Sequence, residues 1–262
     1  MKDLRLTFNE DPAVYDRVRP SYPEPLFDEL WRFASLATAP AICEAGAGTG
    51  KATASLLARG ARVTAVEIGR ELADFMRTRF AGYPNLIVVD QPFESADLPE
   101  SSFDVVLSAT AWHWMDPASR LQRAAALLCP GGVIAIIDTV QVESDADRGY
   151  FAASQPIYRR YGDPEPPPMD EPGIHLPPAL DELRSSPLFG APVLHRHRWD
   201  QAYSRPDYQD LMRSYSNMRA MPLEAREALI AELGALIDNG YGGSVTRPLE
   251  MVLSMARVSA GS

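Results

Sequence analysis

Residues 44–50 read Glu-Ala-Gly-Ala-Gly-Thr-Gly, three alternate glycines behind an acid. Glycines at that spacing let a chain bend sharply and leave room for a ligand against backbone amides. The dinucleotide pattern GxGxxG would need a glycine where this chain has Lys51. A carboxylate two residues before Gly46 repels a pyrophosphate and suits a cationic group such as an ammonium or sulfonium. Charge therefore favours an aminoacyl nucleoside over a dinucleotide. Glu44, Gly46, Ala47, Gly48 and Gly50 are the candidate contacts on this loop.

Further acids and polar residues follow at intervals. Glu67 ends a β-branched run and can accept hydrogen bonds from two ribose hydroxyls, each charged bond contributing roughly 1.5–3 kcal/mol. Asp90 ends the next apolar run and can accept from an exocyclic amine of a purine, with Gln91 beside it and Ile68 and Phe93 as apolar plates. Thr110 ends a fourth run and would line the reactive side. His113 stands between Trp112 and Trp114. A neutral imidazole there can take a proton from a hydroxyl or amine, hydrogen-bond a ligand, or serve structure alone. The two tryptophans either wall a substrate pocket or cover the end of a sheet. His175, His195 and His197, without paired cysteines, are not read as metal ligands.

The elements that must position these residues alternate in type. Strand-like runs are expected at 41–44, 62–67, 86–90, 103–108 and 132–138. Helical runs are expected at 51–59, 69–80 and 117–128. Strands separated by helices of this length signal parallel βαβ units, and an unbroken apolar run such as Val133–Ile137 signals burial on both faces. Before them, Asp11 and Pro12 should open a helix that stops before Pro20, and Pro23-Glu24-Pro25 should open a second through Trp31. After Val140, prolines concentrate at 156, 164, 166, 167, 168, 172, 177 and 178. They predict a stiff lid or linker between small helical pieces, with a short helix at 178–185 and Phe189 packed behind it. A strand at 193–203, helices at 205–217 and 223–236 stopped by Gly240, and a last strand around 250–256 complete the chain. Four segments are expected: a helical N-terminal lid (1–37), a cofactor-binding core (38–140), a proline-rich cap (141–192), and edge strands (193–262) with inserted cap helices at 205–238.

Composition narrows the function classes. With 262 residues, 46% hydrophobic, the chain can bury a full core without disulfides. Cys43 and Cys129 read as small buried hydrophobes and point to a reducing, cytoplasmic setting. The start at Met1–Asn9 lacks the apolar core of a signal peptide, and no apolar run is long enough to span a membrane. A net charge of −10 argues against nonspecific nucleic-acid binding. Length and charge leave monomer and homodimer equally open.

The order of elements and these motifs resemble class I S-adenosylmethionine-dependent methyltransferases. Glu44–Gly50 is similar to that family's first motif, E/DxGxGxG. Glu67, Asp90 and 103–110 are similar to its later ones, and Leu128-Cys129-Pro130-Gly131-Gly132 to its LxPGG turn. The resemblance covers roughly 38–140. Tyr15-Asp16-Arg17-Val18-Arg19-Pro20-Ser21-Tyr22-Pro23 and the 109–116 segment around Trp112-His113-Trp114 resemble a small-molecule, trans-aconitate-type subset. The resemblance implies a Rossmann-like α/β sheet of seven strands, five parallel plus an antiparallel edge pair, with a helical cap and proline-rich lid. It implies S-adenosylmethionine as cofactor, S-adenosylhomocysteine as product, and a small-molecule acceptor attacked through O, N or carboxylate. It also sets Tyr15, Arg19 and Tyr22 near the methionine end, with Arg19 as a carboxylate clamp for cofactor or substrate. Three rivals are weighed beside it: a nicotinamide-dependent oxidoreductase, a noncatalytic binder of the same cofactor, and an RNA methyltransferase, which the charge disfavours.

Overall fold

The structure, a computed structural model, describes residues 11–162 and 169–259. Pro164, Pro166, Pro167 and Pro168 of the expected lid, and the Met1–Asn9 stretch, lie outside the described residues. Helix α1 (Pro12–Val18) starts where the Asp11 carboxylate accepts the Val14 amide at 3.0 Å. It ends ahead of Pro20, whose ring disfavours helical backbone at the residue before it. Helix α2 (Glu24–Ala34) buries Leu26, Phe27 and Leu30 on one face. Then follow β1 (Ala41–Ala45), α3 (Lys51–Ala58), β2 (Arg62–Val66), α4 (Arg70–Arg79), β3 (Leu86–Val89), β4 (Phe103–Ala109), α5 (Arg120–Leu127) and β5 (Leu128–Gln141). The last third holds α6 (Tyr150–Arg160), α7 (Pro178–Ser185), β6 (Val193–Ser204), α8 (Arg205–Arg213), α9 (Ser216–Ala220), α10 (Leu223–Tyr241) and β7 (Ser244–Arg257).

The strands form one mixed seven-stranded sheet in the order β3-β2-β1-β4-β5-β7-β6. Pairings from β3 through β5 are parallel. The Val258 amide donates to the Gly132 carbonyl and the Val142 amide to that of Pro248, so β7 runs antiparallel to β5. The bonds Gly190 to Arg257 and Arg205 to Gly243 give the same relation between β6 and β7. The antiparallel edge pair is therefore present, with the chain's last strand inserted between β5 and β6. Strand order reverses between β1 and β4, the place where open α/β sheets bind ligands at the carboxyl ends of their strands.

The chain divides into two compact units that interleave along the sequence rather than follow it. One comprises Ser21–Thr139, Leu176–His197 and Met251–Ser262; the other comprises Met1–Pro20, Val140–His175 and Arg198–Glu250. In the first, the sheet unit, successive strand residues point to opposite faces. Ile42, Leu107 and Ile137 pack with Leu26, Phe27, Leu56 and Met76. Their neighbours Cys43, Val106 and Ile136 pack with Leu121, Leu127 and Leu183. Burial on both faces is what the continuous apolar runs require. Phe189 is buried with Ala179 and Leu183 of α7, as expected. The second, helical unit has its own core of Tyr150, Tyr158, Tyr203, Tyr208, Leu211, Leu229, Leu233 and Ile237.

Several boundaries depart from expectation. Helix α10 runs past Gly240 to Tyr241, and Gly242 at φ 67° supplies the left-handed cap. The helix expected over 205–217 breaks after Arg213, where the Ser214 hydroxyl donates back to the Leu211 carbonyl at 2.6 Å. Strand β5 starts at Leu128 and β7 at Ser244, earlier than expected. Helix α6 forms around Pro156 in a stretch read as lid or linker. Among the described residues, no helix is long and apolar enough to cross a membrane.

Candidate functional site

Strands β1 and β2 end side by side, and the loop between β1 and α3 folds back on them. The Gly46 and Ala47 amides donate to the Val66 carbonyl at 2.9 and 3.1 Å. Gly46, Gly48 and Gly50 all take positive φ, between 60° and 82°. Two of these glycines are also packed closed: a Cβ on Gly46 would lie 2.6 Å from the Ala111 Cβ, and one on Gly50 would lie 2.5 Å from the Phe80 ring. At Gly48 nothing lies within 4 Å of the Cβ position, so the middle of the loop faces open space. Beside it the buried Thr49 hydroxyl finds no partner among the described residues.

Acids stand at the ends of three adjacent strands. Glu67, just past β2, accepts the Gly48 amide on one oxygen at 2.7 Å and the Gly69 amide on the other at 2.8 Å. A carboxylate has about four acceptor positions, so these amides do not exhaust it. Burial pushes the Glu67 carboxyl up, the Gly69 and Gly48 amides oppose that, and Asp90 adds to the rise. Glu44 is 1% exposed and accepts the Thr53 hydroxyl at 2.5 Å. Burial raises its pKa to about 8, Thr53 opposes, and Glu67 pushes it further up. Asp90 itself is exposed, Ile68 half-buried, and Phe93 buried beside Val66, Ala96 and Leu98. Gln91 is exposed, its side-chain oxygen accepting the Asp97 amide at 2.9 Å.

On the far side of β1, β4 carries the remaining candidates. Thr110 follows its last residue with φ 54°, and its amide donates to Ile137 at 2.7 Å. Its hydroxyl oxygen accepts from Tyr22 at 3.2 Å and lies 3.2 Å from that of Thr139. A short 3₁₀ turn then presents Trp112, His113 and Trp114. Trp112 is buried: its indole N–H donates to Glu182 at 2.9 Å, and Arg120, which grips the same carboxylate with two bonds, stacks on its ring. His113 is exposed and tilts against Trp114 at 4.9 Å. The protein around it, and then the Arg120 charge, hold its imidazole below the ordinary histidine pKa, so it is neutral at pH 7.

The N-terminal motif is divided between the two units. Tyr22 belongs to the sheet unit, beside Thr110. Tyr15 and Arg19 belong to the helical unit, where the Arg19 guanidinium lies over the Tyr15 and Tyr215 rings and donates to the Ser214 hydroxyl at 3.0 Å and carbonyl at 2.9 Å. Of the three remaining histidines, His175 faces Asp170 at 2.7 Å and His195 lies 3.5 Å from Glu29. Sequence reasoning passed over Thr53, which holds Glu44, and Thr139. A threonine inside a helix or a strand end carries no signal of its own until the register of the neighbouring strand is known.

Residues 43–136 match a family model described as a methyltransferase domain. Over 163 residues the chain is 36% identical to an uncharacterized methyltransferase of Mycobacterium tuberculosis, covering 62% of this chain and 63% of that protein. The chain thus spans somewhat under two thirds of that relative's length. A Schizosaccharomyces pombe uncharacterized methyltransferase is 28% identical over 234 residues, 88% of this chain and 87% of that protein. Among solved structures, the Bacillus subtilis YcgJ protein superposes with a TM-score of 0.56 at 16% identity, covering 91% of this chain and all of that one. Haemonchus contortus phosphoethanolamine N-methyltransferase 2, in complex with phosphomonomethylethanolamine and S-adenosylhomocysteine, gives 0.56 at 13% identity over 96% of this chain and 58% of that one. Likeness at that identity speaks to the fold.

Proposed function

We propose that the chain is a methyltransferase of the family whose domain model residues 43–136 match, and that it moves a methyl group from S-adenosylmethionine to a small-molecule acceptor by direct displacement. The observation that carries the reading is the row of acids, Glu44, Glu67 and Asp90, around a glycine loop open at Gly48. Such a row repels a diphosphate and favours a cationic nucleoside. The partnerless Thr49 hydroxyl and the open Gly48 position fit a ligand laid against this loop.

S-adenosylmethionine, when bound, supplies a methyl carbon on a sulfonium that departs as a neutral thioether. The chain's own residues then have separable tasks. Glu67 offers its remaining acceptor capacity to ribose hydroxyls while its amide bonds fix its direction. Glu44 supplies a counter-charge to a cationic ligand and gives up its proton from the carboxyl as that charge arrives. Asp90 accepts from the exocyclic amine of a purine, with Ile68 and Phe93 beside the ring and Ala47 and Gln91 as further contacts on the two loops. Thr110 and Tyr22 place hydroxyls at the end of β4. His113, already neutral, takes the proton from an O–H or N–H nucleophile, and Trp114 shields it. Trp112 holds the turn through Glu182. A carboxylate nucleophile needs no base and calls for an arginine such as Arg19 instead.

Titration calorimetry tests this directly. S-adenosylhomocysteine should bind and NAD should not. Tight uptake of NAD with no heat from S-adenosylhomocysteine would overturn the proposal. Labelled methyl from the cofactor should enter a small-molecule extract rather than RNA; binding without any labelled metabolite would favour a noncatalytic role.

A further inference from the structure

We propose that Glu182, acting through Arg120, is a positioning residue for His113: the pair fixes the turn that presents the imidazole and sets the charge the imidazole meets. The turn has little hold of its own. Trp112–Trp114 is three residues long, closed by the Trp114 amide on the Ala111 carbonyl at 3.0 Å and the Met115 amide on the Trp112 carbonyl at 3.2 Å. A first turn costs more backbone entropy than its bonds return, so other elements must hold it. All the residues that do so belong to the sheet unit. Arg120 opens α5, and its Nη1 donates to the Trp112 carbonyl at 2.7 Å and the Met115 carbonyl at 3.4 Å, on either side of His113 and Trp114. Its Nε and Nη2 form a fork on Glu182 of α7, at 2.9 Å each. Glu182 also accepts the Trp112 indole at 2.9 Å, so one carboxylate takes three bonds. At the far end of the turn Glu94 accepts the Asp116 amide at 2.8 Å, while the Asp116 carboxylate accepts the Ala118 amide and the Ser119 hydroxyl.

This is more than the turn needs for packing. A buried indole N–H requires one acceptor, and a neutral oxygen would serve. Here an ion pair stands beside the turn, its side chains only 13% and 19% exposed. Water screens such charges less than it screens surface ones, so their effect on a neighbour is larger. Next to the surrounding protein itself, Arg120 is what holds the His113 imidazole below the ordinary histidine value. Glu182 counters that cation. Loss of either partner therefore acts on the imidazole with opposite sign: without Arg120 it takes a proton more readily, and without Glu182 less readily.

The inference rests on the methyl-transfer reading only for the reaction that His113 serves. The test follows the His113 ring protons by NMR through a pH titration of the full chain, assigned by their loss in His113→Asn. Arg120→Met should move the midpoint to higher pH. Glu182→Gln, which removes the charge but keeps an oxygen for the Trp112 indole, should move it to lower pH. A purely structural role predicts the same direction for both variants, because a released turn returns the imidazole to its ordinary value; that result overturns the proposal. Should Arg120→Met fail to fold, Glu182→Gln decides alone, and a midpoint unmoved or raised overturns the proposal. Arg120→Lys keeps the charge and loses the fork. It should hold the midpoint and S-adenosylhomocysteine affinity while transfer of labelled methyl into a small-molecule extract drops ~10-fold or more; undiminished transfer would overturn the positioning role. Opposite midpoint shifts in a protein that ignores S-adenosylhomocysteine would leave the Glu182–Arg120 pair standing and remove the methyl-transfer reading.

Discussion

The Glu67 carboxylate holds the Gly48 amide at 2.7 Å across nineteen residues of chain. One acid thereby sets the shape of the glycine loop and keeps acceptor positions for a ligand. Glu67→Ala should raise the S-adenosylhomocysteine dissociation constant at least ~10-fold, since charged hydrogen bonds contribute roughly 1.5–3 kcal/mol each. Calorimetry on the variant checks this, and unchanged binding would remove the ribose assignment.

The three loop glycines should separate by experiment. Gly50→Ala drives a Cβ into Phe80 and should lower stability by ~1–3 kcal/mol in denaturant titrations, besides the cost of its positive φ. Gly48→Ala meets no neighbour and keeps only the backbone cost, of order 1 kcal/mol. Its larger effect should fall on S-adenosylhomocysteine affinity, because the methyl group enters the open side of the loop.

Glu44 gives a pH signature with a definite sign. Its folded pKa, about 8, lies above the ordinary 4.5, so the folded state binds this proton more tightly. The stability it contributes is present at low pH and is lost as pH rises from about 4.5 through about 8, with a slope of at most ~1.4 kcal/mol per pH unit. Glu44→Gln should flatten that part of the stability curve. For the parent chain, S-adenosylhomocysteine should bind more tightly at pH 8 than at pH 6 and release a proton on binding, read from calorimetry in buffers of different ionisation enthalpy.

His113→Asn should leave S-adenosylhomocysteine binding intact and cut turnover on an O–H or N–H acceptor by ~10²–10⁴. Because the surrounding protein and the Arg120 charge depress the imidazole pKa, the parent rate should be flat at neutral pH and fall only on the acid side of the ordinary histidine value. A turnover number unmoved by the substitution would relegate His113 to structure.

Much of the sheet unit was legible because its signals are local. The Val133–Ile137 run, the β-branched Arg62–Val66 run and the glycine loop each announce their own conformation, and acids at strand ends follow once the strands are placed. Boundaries slipped where tertiary contacts decide. Gly240 and Gly242 are equivalent on paper, and only the chain's need to turn into β7 selects the second. Pro156 argues against the helix that surrounds it, since sequence cannot show that Tyr150, Ser154 and Tyr158 are buried on one face. The Arg120–Glu182 contact spans 62 residues and joins two residue types too common to stand out.

Thr110 has consequences beyond its hydrogen bonds. A β-branched residue held at φ 54° is an uncomfortable choice, roughly 1–3 kcal/mol above a relaxed backbone, at a position a glycine would occupy easily. Keeping threonine there sacrifices robustness to hold one oxygen between Tyr22 and Thr139. A tougher but duller protein is one substitution away: Thr110→Gly should melt at a higher temperature and lose the alignment that this tension maintains.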